Sequence, residues 1–486
     1  MREEIVRSII NETNLREQLI LLKNTLKEDE QLTDSRLFDK LKSFLESGDS
    51  KIRKNAALIL GHYHRYNIKE LLLNSYYHET TEYVKEAYLK ALARQDCKSI
   101  TDELRQIRSN LLTDFVTDSK HIDAQLKILN PLILSYITHK KKSIRLLHKE
   151  VDVILTSLPF YQFTLFEYVL NLKYKPVAQG VLVRTNSLYD LLPIRNYNEL
   201  IIPIKNCSAM DINDKSISEC FQNSNLLELL NILFDTEEAF YYKLTDQLKI
   251  KNPALISKLV SHLNKSYSKR LLNVTSNYEI EILLRELRPH KVSAYLKITS
   301  LDNPRFDYRK EIISNSMQPY VANTLLQLAK PYMDVYAKVL DPFCGSGITL
   351  IERCLLKPVS FTIGIDIYTK GLEAAKRNTR AANLDINYVN KDCLRFVNNE
   401  MFDEIITDMP TYAQMKDKKA LEYLYDNFFK RIPKLVRSDG YVFIYTSEIS
   451  LIEKNLRLNK GYLSLIEHYD VPRGKNLFYF FILQVR

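Results

Sequence analysis

The stretch Val339-Leu340-Asp341-Pro342-Phe343-Cys344-Gly345-Ser346-Gly347-Ile348-Thr349-Leu350-Ile351-Glu352 sets an acid, a glycine-rich turn and a helical pattern in direct succession. Gly345 and Gly347 let backbone come close to a ligand with no Cβ in the way. A dinucleotide site would want a third glycine where this chain has Leu350, and Asp341 would repel a diphosphate. The pattern suits a ligand that presents a cation near the turn and carries no phosphate there. A second acid, Asp366, closes Gly364-Ile365-Asp366, where a carboxylate can take both hydroxyls of an adenosine ribose. A third, Asp392 in Asn390-Lys391-Asp392, could accept from an adenine amino group. Each acid alone reads equally as a loop residue or a helix cap. Three of them at successive strand ends behind one glycine turn point to one shared ligand.

Elements of two kinds must position these residues. Short apolar runs at Tyr336–Leu340, Phe361–Ile365, Ile386–Val389, Glu404–Thr407 and Tyr441–Tyr445 alternate with helical patterns such as Leu372–Ala382 and Leu421–Leu435. That alternation predicts βαβ units and a parallel sheet covered on both faces. Tyr462–Tyr469 and Leu477–Val485, separated by Pro472-Arg473-Gly474-Lys475, predict two closing strands joined by a turn. The first ~130 residues read as helices. Within them Lys51–Leu58 aligns with Glu82–Leu89, matching Lys54/Lys85, Ala56/Ala87 and Leu58/Leu89. This weak repeat resembles HEAT-type helical repeats, whose stacked helix pairs share one core and offer a docking surface, here for a possible protein partner. The middle is mixed: Val151–Leu155, Pro176–Val183 and Val292–Ile298 predict strands, Leu226–Leu233 and Ala254–Leu263 helices. The expected organisation is therefore helical over 1–148, mixed α+β over 149–300, and α/β over 301–486.

The 486 residues carry 69 basic and 59 acidic side chains, a net charge of +10 that weakly favours a polyanionic partner. The run His139-Lys140-Lys141-Lys142 could touch phosphate, although such runs more often form a solvated helix end. Six cysteines without a CxxC exclude a disulfide scaffold and a cysteine-built zinc site, so no metal is expected. No run of about 18 apolar residues occurs, and Met1-Arg2-Glu3-Glu4 does not open like an export signal, so a cytoplasmic protein away from membranes is expected.

Asp341–Glu352, Gly364-Ile365-Asp366 and Ala374-Ala375-Lys376-Arg377-Asn378 together resemble a class I S-adenosylmethionine-dependent methyltransferase. Asp341–Gly347 more narrowly resembles the RNA guanine-N2 methyltransferases that often carry a THUMP domain. Arg305-Phe306-Asp307-Tyr308-Arg309-Lys310, with Ser314, Ser316 and Pro319, resembles the basic stretch that precedes the sheet in that family. The resemblance covers about residues 290–486 and implies a Rossmann-like seven-stranded sheet. No clear THUMP pattern is legible in 150–290, so such a module there would be diverged. The resemblance further implies that Asp341, Gly345 and Gly347 surround the methionine end of S-adenosylmethionine. Asp366 would hold its ribose and Asp392 its adenine, with Phe343, Ile367, Cys393 and Asp408 also in contact with the cofactor.

The family's catalytic motif corresponds to Thr407-Asp408-Met409-Pro410-Thr411-Tyr412. An exocyclic base amine is a poor nucleophile because its lone pair is delocalised. The Asp408 carboxylate and the Met409 carbonyl would accept its two N–H groups and aim the lone pair, with Pro410 shaping the turn. Thr411 stands where relatives carry an aromatic, which leaves Tyr412 as the candidate face for stacking on the base. The implied activity is methylation of an exocyclic nitrogen of a tRNA or rRNA base, most simply guanine N2. A DNA amino-methyltransferase and a catalytically lapsed scaffold acting through its helical repeats are the alternatives.

Overall fold

The computed structural model describes residues 2–27, 30–65, 67–113, 117–136, 142, 144, 147–234, 236–267, 270–314, 316–415 and 417–486. They form two compact units, each assembled from two separate pieces of chain: 1–145 with 204–301, and 146–203 with 302–486. The stretch 149–300 thus contributes to both.

The first unit opens with helix pairs Arg2–Ile10/Leu15–Thr25, Ser35–Phe44/Ser50–Leu60, Ile68–His78/Glu82–Leu92 and Thr101–Thr113/Ser119–Tyr136. The second helix of each pair packs on the second helix of the next. Small residues allow this: Ala56, Ala57, Ala87 and Ala91 are buried, and a Cβ added to Gly61 would stand 2.9 Å from the Ala91 Cα. The same unit holds a sheet in the order Lys291–Ile298, Ile280–Arg288, Phe240–Gln247, Leu271–Asn273. His139, Lys140 and Lys141 lie outside the described residues. Lys142 is turned inward, with its ammonium 2.9 Å from Glu279 Oε2 and from the Ala239 carbonyl.

In the second unit, residues 146–203 form an antiparallel sheet in the order Lys173–Val177, Gly180–Thr185, Val151–Thr156, Leu200–Pro203. The single strand expected over Pro176–Val183 is instead a hairpin that turns at Ala178-Gln179. Apolar content alone conceals that break. Gly180 marks it, because a Cβ there would meet the Leu155 carbonyl oxygen at 2.0 Å.

Residues 302–486 carry helices α1 (Pro319–Ala329), α2 (Ile348–Leu356), α3 (Thr369–Ala381), α4 (Lys418–Leu435) and α5 (Ile449–Leu458). Their strands are β1 (Ala337–Asp341), β2 (Val359–Asp366), β3 (Asn387–Asn390), β4 (Phe402–Asp408), β5 (Val436–Thr446), β6 (Leu463–Arg473) and β7 (Asn476–Val485). The seven strands run in the order β3-β2-β1-β4-β5-β7-β6, parallel up to β5, with β7 antiparallel to both neighbours. Strand order reverses on either side of β1, so the crevice at the carboxyl ends of β1, β2 and β4 is the place for a ligand. Separate apolar clusters cover the two faces. Among the described residues no helix is long and apolar enough to cross a membrane.

The two pieces of this unit are joined by buried polar bonds. Glu352 on α2, fully buried, accepts from Arg195 at 2.7 and 2.9 Å, from the Tyr308 hydroxyl at 2.7 Å and from Asn323 at 3.0 Å. Arg305 donates to the carbonyls of Ile194, Tyr197 and Asn198 and lies 3.5 Å from the Tyr197 ring centroid. Within the stretch that resembles the family's basic segment, Arg305 and Tyr308 are therefore internal fasteners. Deeper still, Arg353 on α2 and Glu404 on β4 form a bidentate pair at 2.8 and 2.9 Å, with both side chains essentially inaccessible. Removing one partner of such a pair strands the other charge. Arg353→Met should cost about 3–5 kcal/mol in chemical denaturation, and Arg353→Met combined with Glu404→Leu should cost clearly less.

Candidate active site

Asp341 ends β1, and the chain turns through Pro342–Ser346 into α2. Gly345 and Gly347 take φ of +49° and +78°, values that favour glycine. They serve different ends. A Cβ on Gly345 would meet only Ile313 Cδ1, at 3.7 Å, so the backbone is open toward the crevice. At Gly347 a Cβ would stand 2.5 Å from the Tyr388 hydroxyl, so this glycine makes room for a β3 side chain. The turn is tied from outside by Asn378 on α3. Its amide donates to the carbonyls of Ser346 and Glu311, and its oxygen accepts the Glu311 N–H. Asn378 belongs to the quoted helix motif but carried no expected role; nothing in its spacing distinguishes it from a surface residue.

The crevice holds a cavity of about 710 Å³. Phe343, Gly345, Asp366, Ile367, Asp392, Cys393, Asp408 and Pro410 all line it, as do Ser314 and Ser316. The Asp366 carboxylate accepts the Gly345 and Tyr368 N–H groups, each at 2.8 Å, which orients it and leaves further lone pairs for a ligand. Asp392 accepts the Leu394 N–H at 2.9 Å. Phe343 packs edge-on against Phe428, and burial pushes the Cys393 thiol up to about 12. Asp341 sits just beneath the wall. Its Oδ1 accepts from the Phe343 N–H and from the Thr407 hydroxyl, joining the tips of β1 and β4. Burial, then the charges of Asp366 and Asp408, push its carboxyl up to about 8.

Asp408 ends β4, opposite Tyr445 of β5. Among the described residues no hydrogen-bond donor reaches its carboxylate. Burial raises it to about 7, with Arg473 as the opposing charge. The Met409 N–H donates to the Tyr445 carbonyl at 2.9 Å, but the Met409 carbonyl receives no donor among the described residues. The Pro410 carbonyl is occupied by the Tyr425 hydroxyl at 2.9 Å. Asp408 thus faces the cavity without a donor, and the Met409 carbonyl, in a fully buried residue next to it, is also without one.

Tyr412 is not brought to the cavity. Its N–H donates to Glu448 and its hydroxyl to Glu422, which turns the ring toward α4 and α5. Thr411 is buried in a turn closed by Gln414, whose Oε1 accepts the Thr411 N–H at 2.9 Å. Gln414, Met415 and the exposed Tyr423 supply that side of the wall; no sequence motif marked them.

Residues 307–475 match the UPF0020 family, described as an RMKL-like methyltransferase domain. The chain is 32% identical over 177 residues to the tRNA (guanine(10)-N2)-dimethyltransferase of Methanocaldococcus jannaschii, covering 34% of this chain and 48% of that protein. It is 26% identical over 123 residues to the release factor glutamine methyltransferase of Flavobacterium psychrophilum, covering 25% of this chain and 43% of that one. It thus spans less than half the length of either relative. TrmN from Thermus thermophilus shares the fold with a TM-score of 0.52 at 19% identity, over 69% of this chain and all of that one. So does SMU.472, a putative methyltransferase complexed with SAH, with a TM-score of 0.54 at 15% identity, over 69% of this chain and 98% of that one.

Gly347→Ala should lose at least about 1 kcal/mol from the left-handed backbone alone. It should lose more from the clash with Tyr388, and Tyr388→Phe should restore part of that excess in thermal unfolding.

Proposed function

We propose that this chain, whose residues 307–475 are an RMKL-like methyltransferase domain, transfers a methyl group to the exocyclic N2 of guanine in a structured RNA, most simply a tRNA. The observation that carries the reading is Asp408 on the wall of the acid-lined cavity, its carboxylate without a hydrogen-bond donor among the described residues, followed directly by the Met409 carbonyl, which is likewise without one.

The cofactor is S-adenosylmethionine, and the donor set fits it. Asp366 keeps lone pairs for ribose hydroxyls, Ile367, Cys393 and Leu394 offer an apolar seat beside Asp392 for adenine, and three carboxylates suit a cation at the glycine turn. Bound there, it supplies an electrophilic methyl group. The Asp408 carboxylate accepts one N–H of the amine and the Met409 carbonyl the other, which rotates the nitrogen lone pair toward the cavity. The apolar wall around them excludes water that would compete for these bonds. As nitrogen gains its new bond it sheds a proton, and Asp408, with its raised affinity, holds that proton better than an ordinary carboxylate. The target base must leave its stack, which costs a few kcal/mol and favours a loop or single-stranded nucleotide. The net charge of +10 supports attraction to RNA phosphates. We assign gripping of the RNA to regions 1–148 and 149–300, and place the protein in the cytoplasm with its RNA; all six cysteines are unpaired.

Mass spectrometry of nucleosides from tRNA and rRNA with and without the gene should show one N2-methylated guanosine missing. An unchanged nucleoside set, or methylation of a protein glutamine instead, would overturn the reading. Asp408→Asn should lower the rate by about 10²–10⁴-fold while calorimetry finds cofactor binding weakened by a much smaller factor.

The chemistry needs Asp408 ionised. In the free enzyme, kcat/KM should therefore fall about tenfold per unit as pH drops below about 7, and Asp408→Asn should flatten that limb. Ionised Asp341 and Asp408 attract a cation, so affinity for S-adenosylmethionine should rise between pH 6 and pH 8. Affinity for the neutral S-adenosylhomocysteine should change less, and calorimetry at both pH values checks the contrast.

A further inference from the structure

The unit built from 146–203 and 302–486 contains a second cavity, of about 270 Å³, next to the first and sharing Met317 as a wall. It lies between the 157–159 loop, Tyr320 at the start of α1, Tyr445 on β5 and the β6–β7 turn. Among the described residues Arg473 is the one charged residue lining it. Its guanidinium stands 5.2 Å from the Phe478 ring centroid, and Phe478 in turn stacks on Tyr445 at 5.0 Å and 15°. The positive charge of Arg473 acts on the Tyr445 hydroxyl, and the guanidinium has no carboxylate partner within ion-pair distance among the described residues. Most of its donor fork is open toward the cavity and solvent.

This cavity adjoins the candidate chemistry. Tyr445 is the cross-strand partner of Asp408, and its carbonyl accepts the Met409 N–H. Asp408, Met409 and Tyr445 are therefore placed by the same strand pair. With Tyr412 turned away, a base held at Asp408 needs another aromatic, and Tyr320 and Tyr445 are the aromatic side chains of this cavity.

Building on the proposed reading, we infer that the second cavity seats the target nucleotide of the RNA. The base amine lies at the Asp408–Met409 end, Tyr320 and Tyr445 wall the nucleoside, and Arg473 binds a flanking phosphate. A single cation among otherwise neutral walls selects an anion, and a guanidinium fork matches phosphate bidentately. Arg473 is on this account a binding residue for substrate, not a participant in methyl transfer.

The test uses the full chain with guanosine, GMP and tRNA as probes. GMP should bind more tightly than guanosine in NMR titration, by about tenfold, and Arg473→Gln should erase the difference. The same variant should lower the slope of log affinity for tRNA against log salt by about one, which a merely structural residue would not do. Arg473→Lys should keep that slope, and cofactor affinity should be unchanged in both variants. Tyr320→Leu should weaken guanosine and GMP alike. Equal binding of GMP and guanosine by the parent protein, or an unaltered salt slope in Arg473→Gln, would overturn the proposal. If only free GMP, and not tRNA, responds to Arg473→Gln, the cavity is a mononucleotide site and the assignment to RNA falls. If GMP discriminates as expected but no RNA is methylated, the pocket stands and the proposed reaction falls. If RNA is methylated and Arg473→Gln changes neither binding measure, the reaction stands and the pocket falls.

Discussion

Like charge crowded at one sheet edge is the constraint on which the rest of the structure depends. Parallel strands necessarily end together, and the order β2-β1-β4 sets Asp366, Asp341 and Asp408 on neighbouring tips. Removing carboxylates from water is costly, and their mutual repulsion in a shielded site adds to that cost. The fold offsets part of it locally. Backbone N–H groups hold Asp366, and Thr407 with the Phe343 N–H hold Asp341. Asp408 receives no such help, and neither does the Met409 carbonyl beside it. What remains is a cavity with a standing preference for a cation and for N–H donors. A sulfonium and an amine answer both.

The scaffold behind that edge is correspondingly rigid. Arg353 and Glu404 lock the helix that follows the glycine turn onto the strand that carries Asp408. Asn378 fastens the outside of the turn, and Tyr388 fills the space that Gly347 leaves. Few of these residues touch the cavity. They fix where the carboxylates point, and positioning is most of what a methyl transfer demands of a protein.

Much of this was legible in the residues alone. The five apolar runs ended where strands end, and the three acids and Asp408 could be placed at tips because a parallel sheet has only one carboxyl edge. Other features were hidden for physical reasons. Gly345 and Gly347 look alike in sequence, yet one opens backbone to the cavity and the other yields space to Tyr388, a distinction that depends on a strand about forty residues away. Tyr412 was the obvious aromatic, but Glu422 and Glu448, from later elements, pull it aside. The 305–310 stretch is rich in charge as a surface would be. Its Arg305 and Tyr308 are consumed internally by the 194–198 carbonyls and by Glu352, which composition does not reveal. The Pro176–Val183 run concealed a hairpin, since apolar content does not distinguish one strand from two short ones.

The interleaved pieces of chain bear on how the protein is born. Residues 146–203 leave the ribosome long before 302–486, with 204–301 made in between. Arg195 must wait for Glu352, and the 194–198 carbonyls for Arg305. Until then, Arg195 and the 194–198 carbonyls lack the partners that hold them in the folded unit, and incompletely assembled chains are the ones that aggregate or recruit chaperones. Completion of this unit is therefore a late event in translation, and the second cavity, walled by Val471–Gly474, cannot exist before the last strands have been synthesised.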